Sequence, residues 1–248
     1  MGACTVRRAP PWALSMARKT FMRTLARWHV WLGWLVGVPI VMWTASGLFM
    51  VARPIEEVRG EHLRQTQEAA PLVLEGSALA TAAADLREMR VTMQSGRAVA
   101  ILTSRKGTVR RVDFSTGEPM PPLSAQDARS LAAARIVGGE AVRSVTAFEA
   151  DEAPFDFRRQ VAVWQVALAD GTHVYIGRDT GEIEAVRTLW WRWFDFMWGL
   201  HIMDLSERED TSHPILIASA ALSLTGAMIG CILMFRHSKS RVKPGRAA

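Results

Sequence analysis

The chain has 248 residues, 49% of them hydrophobic, with 30 lysines and arginines against 24 acidic residues and a net charge of +6. Eleven of the basic residues lie in segments 1–27 and 236–248, which carry no acid, leaving 19 basic against 24 acidic residues between them. The positive charge thus belongs to the two ends, and a pI near 10 that would otherwise suggest nucleic acid reads as a membrane-topology signal, with no nucleic acid as partner.

Residues 1–27 form a basic tail without a pattern of its own, in which Met16 and Met22 are alternative starts. Residues 28–52 follow as an uncharged run with His29 its only titratable side chain, longer than the roughly 20 residues needed to cross about 30 Å of hydrocarbon. A cleaved signal peptide has an apolar stretch of only about 7–15 residues. Trp28, Trp31, Trp34 and Trp43 also suit the interface belts of a retained anchor. Residues 53–122 predict a first folded unit, with an Ala-rich helix over 79–89, strands over 97–103 and 108–114, and a turn at Ser115-Thr116-Gly117-Glu118. Pro119, Pro121 and Pro122 close it.

Residues 123–187 predict a second α+β unit. Ser124 caps a helix with Asp127 three residues on, Leu131, Ala132 and Ile136 share its apolar face, and Gly138-Gly139 stops it. Strands are expected over 142–148, 159–168, 173–176 and 183–186, with turns at Ala169-Asp170-Gly171-Thr172 and Asp179-Thr180-Gly181-Glu182. The Thr-Gly-Glu turns of the two units, about 64 residues apart, are an internal-repeat signal. Residues 188–213 hold a Trp-rich stretch, 189–205, whose charges Arg192 and Asp195 and short length favour a helix along the membrane surface over a crossing. Residues 214–236 are the second span, and 237–248 a second basic tail. Positive charge at both ends places both termini in the cytoplasm and the central residues across the membrane. Cys4 and Cys231 lie outside the central domain, so no disulfide or structural zinc site is expected there. Gly33-x-x-x-Gly37 and Gly226-x-x-x-Gly230 are notches at which membrane helices approach closely, either the two spans with each other or two copies in a homodimer.

Leu123-Ser124-Ala125-x-x-Ala128, Gly138, Trp164-x-Val166, Asp170-Gly171, Val174-Tyr175-Ile176 and Asp179-Thr180-Gly181-Glu182, in that order, resemble a PepSY domain. Arg27-Trp28-His29-x-Trp31-x-Gly33 with Ser46-Gly47-Leu48, and Gly199-Leu200-His201 with Thr225-Gly226 and Phe235-Arg236, resemble the spans of the PepSY-associated transmembrane, or iron-regulated membrane protein, family. The resemblance covers about residues 23–240. It implies an integral membrane protein of the bacterial inner (plasma) membrane, with two transmembrane α-helices flanking a periplasmic α+β domain of two PepSY-like units, the first of them degenerate. Larger members have four or more spans and include haem-containing reductases of ferric siderophores. The expectation is an accessory or electron-transfer component of iron or siderophore uptake, at most reductase-like, that holds a b-type haem. The alternative is a non-catalytic periplasmic module whose exposed sheet binds a peptide, a protease or an envelope partner.

The candidate haem ligands are His29 with His237 at one membrane face and His201 with His213 at the other, because b-type haem takes axial imidazoles on opposite sides of the porphyrin. The other reading of His29 and His237, beside arginines, is as interfacial residues facing lipid phosphate. Met197, His201 and Met203 also suit copper, although such residues in a Trp-rich helix more often contact lipid or core. His62 and His173 read as surface residues, and the carboxylates of the central domain read as a solvated surface. No catalytic residues are expected: Gly-x-Ser-x-Gly, Gly-Lys-Ser/Thr and His-Glu-x-x-His motifs are all missing from the sequence.

Overall fold

The structure, a computed structural model, describes residues 11–65 and 85–241, with the side chains of 11–15, 17–19 and 236–241 left out. Its contacts divide it into two units, 1–52 with 195–248, and 53–194.

The first unit is built on two long helices. α1 runs from Pro11 to Met50 and α5 from Pro214 to Arg241. Stretches Thr20–Met50 and Pro214–Phe235 are long and apolar enough to cross a membrane. The helix begins well before the apolar run because Pro11 is tolerated in the first turn and Ala13, Leu14, Met16 and Ala17 are good helix formers. Hydropathy marks where a bilayer suits the helix, not where the helix starts. α1 and α5 pack together at glycines: a side chain on Gly226 would meet Leu32, and one on Gly230 would meet His29. By contrast, nothing lies within 4 Å of the Cβ positions of Gly33 and Gly37.

The second unit contains two antiparallel sheets. β1 (Leu86–Gln94), β2 (Arg97–Ser104) and β3 (Val109–Asp113) form the first. β4 (Val142–Phe148), β5 (Val163–Leu168), β6 (His173–Gly177) and β7 (Ile183–Arg187) form the second, in that order. Between them lies α3 (Ala125–Arg135), after the short helix α2 (Ile55–Val58) earlier in the chain. The expected capping box is present, Ser124 accepting from the Asp127 N–H and Asp127 from the Ser124 N–H. Ala128, Ala132 and Ile136 pack on Val166, Leu168, Val174, Ile176 and Val186, all buried, each large apolar side chain contributing on the order of 1.5–3 kcal/mol.

The repeated Thr-Gly-Glu turns have one geometry. Gly117 and Gly181 have φ of 73° and 65°. Their N–H groups donate to the Asp113 and Gly177 carbonyls, and the following N–H groups donate to the hydroxyls of Thr116 and Thr180. The second turn also receives the first sheet: Arg90 pairs with Glu182 at 2.5 Å and Gln94 donates to the Thr180 carbonyl at 2.8 Å. Buried Arg111 donates to Gln94 and to the Pro121 carbonyl. A Cβ on Gly181 would fall 2.7 Å from the Arg111 guanidinium, whose end would have to shift, and the positive φ itself favours glycine.

Three expectations change. The helix over 79–89 falls outside the described residues as far as 84, and from Leu86 the chain is β1. It pairs with β2 across Ser95-Gly96, whose φ values of 50° and 79° give the turn that matches strand twist. The strand over 159–168 begins only at Val163, after Arg158 takes φ 58°. The Trp-rich helix, α4, runs from Leu189 to His201 and stops short of residue 205, where Met203 takes φ 57°.

Candidate functional site

Of the four predicted ligands, His201 has the most built surroundings. It closes α4, and the chain beyond it is held by buried Asp204. That carboxylate accepts from the Ser206 hydroxyl and from the N–H groups of Ser206, Glu207, Glu209 and Asp210. Burial alone would raise its pKa; the Ser206 hydroxyl and the N–H groups of Asp210, Glu207 and Glu209 outweigh that and hold it well below the carboxylate range. Arg208 returns to Asp195 at 2.6 Å, and Trp198 donates to the Arg208 carbonyl at 3.0 Å. A Cβ at Gly199 would fall 2.9 Å from the Asp204 carbonyl oxygen, so a side chain there would push the loop away. Asp204 went unnoticed in the sequence, although Asp followed two residues later by Ser is a local-turn signal.

The His201 ring stacks on Trp43, with centroids 5.1 Å apart and planes 21° apart. Its Nδ1 lies 3.1 Å from Ser46 Oγ and 3.2 Å from the Trp43 carbonyl oxygen. Gly47 leaves room for it, since a Cβ there would lie 3.2 Å from the ring. His29, near the middle of α1, has a parallel arrangement. Its Nδ1 lies 3.1 Å from the Gly226 carbonyl oxygen, and its ring fills the notch at Gly230.

The four histidines are not brought together. His29 and the His201 contact at Ser46 are 17 residues apart on one helix, about 26 Å at ~1.5 Å per residue, too far to share one iron. His213 precedes α5, and its Nδ1 is buried without a hydrogen-bond partner. His237 lies in α5, its side chain outside the described residues. Among the described residues, no group of three or more His, Cys, Asp or Glu gathers.

A haem ligand needs a ring nitrogen with a lone pair and, commonly, its other N–H on a carbonyl or carboxylate. With Nδ1 on the Trp43 carbonyl, His201 would meet that requirement. His29 fits less well, because Nε2 lies 3.3 Å from the Gly230 Cβ position, against α5. Its ring packs as a clasp between the two helices.

The central domain holds a polar cluster that the sequence reading missed. The loop over residues 149–162 crosses the face of the second sheet opposite α3, burying Phe157 against Tyr175 at 4.7 Å. Its Asp156 accepts from the Tyr175 hydroxyl at 2.5 Å and lies 3.4 Å from His173 Nδ1 and 3.7 Å from Arg192. Gln165 donates to the same hydroxyl. His62 is exposed as expected, but His173 is half-buried within this cluster rather than a surface residue, and Asp156 is not a solvated carboxylate. Burial works against the charged Asp156, yet His173, Tyr175 and Arg192 together hold its pKa below the ordinary value; burial and Asp156 push that of Tyr175 up. Five residues from four segments meet here, which no local motif reveals.

Searches against family models, curated proteins and solved structures found no match, so the PepSY resemblance is carried by the quoted motifs and their order alone.

Proposed function

We propose that the protein is a bacterial inner-membrane, PepSY-type accessory or electron-transfer component of iron or siderophore uptake. In this reading α1 and α5 cross the bilayer, both termini are cytoplasmic and residues 53–213 are periplasmic. Exposed apolar side chains along both helices support it, with Trp31 and Trp34 74% and 79% exposed. So does the confinement of excess positive charge to the ends. Reporter fusions at residue 120 and at the C-terminus should give opposite compartment readings, and matching readings would sink the two-span topology.

The observation that carries the haem part is the His201 environment, in which Nδ1 faces a carbonyl; Nε2 would then be the nitrogen that ligates. His201 would hold a b-type haem, with His213 as the proposed second ligand of the same membrane face. When bound, the haem supplies one-electron chemistry. The chain's residues do the holding: Trp43 walls the imidazole, Ser46 and the Trp43 carbonyl orient it, and the Asp204 loop fixes the end of α4. Full-length protein from haem-replete cells is expected to show a low-spin b-type spectrum.

The second reading is a non-catalytic periplasmic module for a peptide, protease or envelope partner. Both faces of the second sheet are covered, one by α3 and one by the loop over 149–162. The place for an added strand is therefore an outer edge of that sheet, β4 or β7. Strand addition there, with no haem, is the outcome that would favour this reading. A homodimer is proposed through Gly33 and Gly37 rather than Gly226 and Gly230, because α5 already uses its notch within the chain. Gly33→Leu is expected to shift full-length protein from dimer to monomer in light scattering.

A further inference from the structure

The contacts of His201 also determine which of its nitrogens carries the proton, and this deepens the proposed haem site while resting on that proposal only for the identity of the ligand. Three atoms form a tight triangle. His201 Nδ1 is 3.1 Å from Ser46 Oγ and 3.2 Å from the Trp43 carbonyl oxygen, and Ser46 Oγ is 3.0 Å from the same carbonyl oxygen. The carbonyl has no proton to give. A bare Nδ1 would set its lone pair against the carbonyl lone pairs, and the one hydroxyl proton of Ser46 cannot serve two acceptors. With the proton on Nδ1, every group is satisfied: Nδ1–H donates to the carbonyl and to Ser46 Oγ, and the Ser46 hydroxyl donates to the carbonyl. Ser46 is only 2% exposed, so water offers its hydroxyl little alternative, and an unpaired buried donor is costly.

Trp43, Ser46 and Gly47 stand at i, i+3 and i+4, on one face of α1. The first supplies a ring to stack on and a carbonyl, the second a hydroxyl, and the third the space that a side chain would take. We infer that these three residues form a seat that holds neutral His201 as its Nδ1–H tautomer, so that Nε2 is the ring's only lone pair and the one nitrogen available to a metal centre such as ferric haem. Ser46 is a positioning residue: it acts through His201 and touches no ligand itself. The neutral imidazole of an unconstrained histidine prefers the proton on Nε2, which is the nitrogen a haem would need bare. The seat reverses that preference before any ligand arrives.

The test uses full-length protein in detergent micelles, with 15N-labelled histidine and spectra recorded at a pH where imidazole is neutral. His201→Ala assigns the signal, and exposed His62 serves as the unconstrained reference. Wild type is expected to show His201 protonated at Nδ1 and bare at Nε2. Ser46→Ala keeps the carbonyl, so the tautomer persists while haemin binding weakens by about 10–100-fold, as when an outer partner of a ligating histidine is removed. Gly47→Leu drives the ring from its seat, and both the Nδ1–H signal and haemin binding are expected to be lost. Thermal stability measured alongside separates these effects from general unfolding, since a merely structural Ser46 would leave haemin affinity unmoved. An Nε2–H signal in the wild type overturns the seat even if haemin binds. An Nδ1–H signal in protein that never binds haemin supports the seat and overturns the haem proposal.

Discussion

His29 of α1 docks on α5 and His201 of α4 docks on α1, in parallel fashion but with different surroundings. Each sets Nδ1 about 3 Å from a main-chain carbonyl of another helix and rests its ring on a glycine. For His29, Nε2 is among the ring atoms nearest Gly230, so the ring is closed in by α5. For His201, only Cε1 and Nδ1 come within 4 Å of the Gly47 Cβ position, and the ring is stacked on Trp43. Each histidine thus joins two helices, and they differ in whether Nε2 comes against the facing glycine. Two such histidines are therefore told apart by what their second nitrogen meets, not by their position in a motif.

The largest effect on the clasp is expected from Gly230→Val, whose Cβ would fall 2.8 Å from His29 Cε1. Overpacking of this kind costs about 1–3 kcal/mol, and the thermal midpoint of full-length protein should drop by several degrees, with haem content retained. An unchanged midpoint would mean that α1 and α5 do not meet at this notch.

His173 sharpens the contrast from the other side, because it faces a carboxylate instead of a carbonyl. Asp156→Ala leaves the Tyr175 hydroxyl buried without its acceptor and should cost about 1–3 kcal/mol, read from denaturant unfolding of the central domain's signal. The charge also makes this region sensitive to acid. The folded pKa of Asp156 lies below its ordinary value, so its contribution is fully present above about pH 4. It is lost as the pH falls through the folded value. Asp156→Asn should therefore narrow the stability difference between neutral and strongly acid solution. An equal acid dependence in the variant would show that Asp156 does not carry it.

The smallest effect is expected from His29→Ala. It removes one interhelical hydrogen bond, worth on the order of 0.6–2 kcal/mol within a membrane. A loss of haem in His29→Ala with stability intact would reverse the assignment of the two roles.

Much of the central domain was legible because its signals are local. The Ser124–Asp127 box and the two Thr-Gly-Glu turns each specify their geometry within a few residues, and each took that geometry, whereas α3 ends at Arg135 with Ile136 extended, ahead of the expected stop at Gly138. The error at Leu86 came from weighing Ala-rich helix propensity above Ser95-Gly96, a two-residue turn that pairs β1 with β2. The site was legible only as a set of histidines. What separates His201 from His29 depends on Trp43, Ser46 and Gly47 being 155 or so residues away in sequence, and the Asp156 cluster joins a loop, two strands and α4. Long-range meetings of this kind leave no spacing to read in a single chain.

The most direct test is a haemin titration followed by optical absorption, on wild type, His29→Ala and His201→Ala in the full-length protein. The expected result is a b-type spectrum in wild type and His29→Ala that His201→Ala weakens or abolishes. Wild-type protein that stays colourless with haemin present, or a His201→Ala spectrum identical to wild type, would contradict the assignment of His201 as the haem ligand.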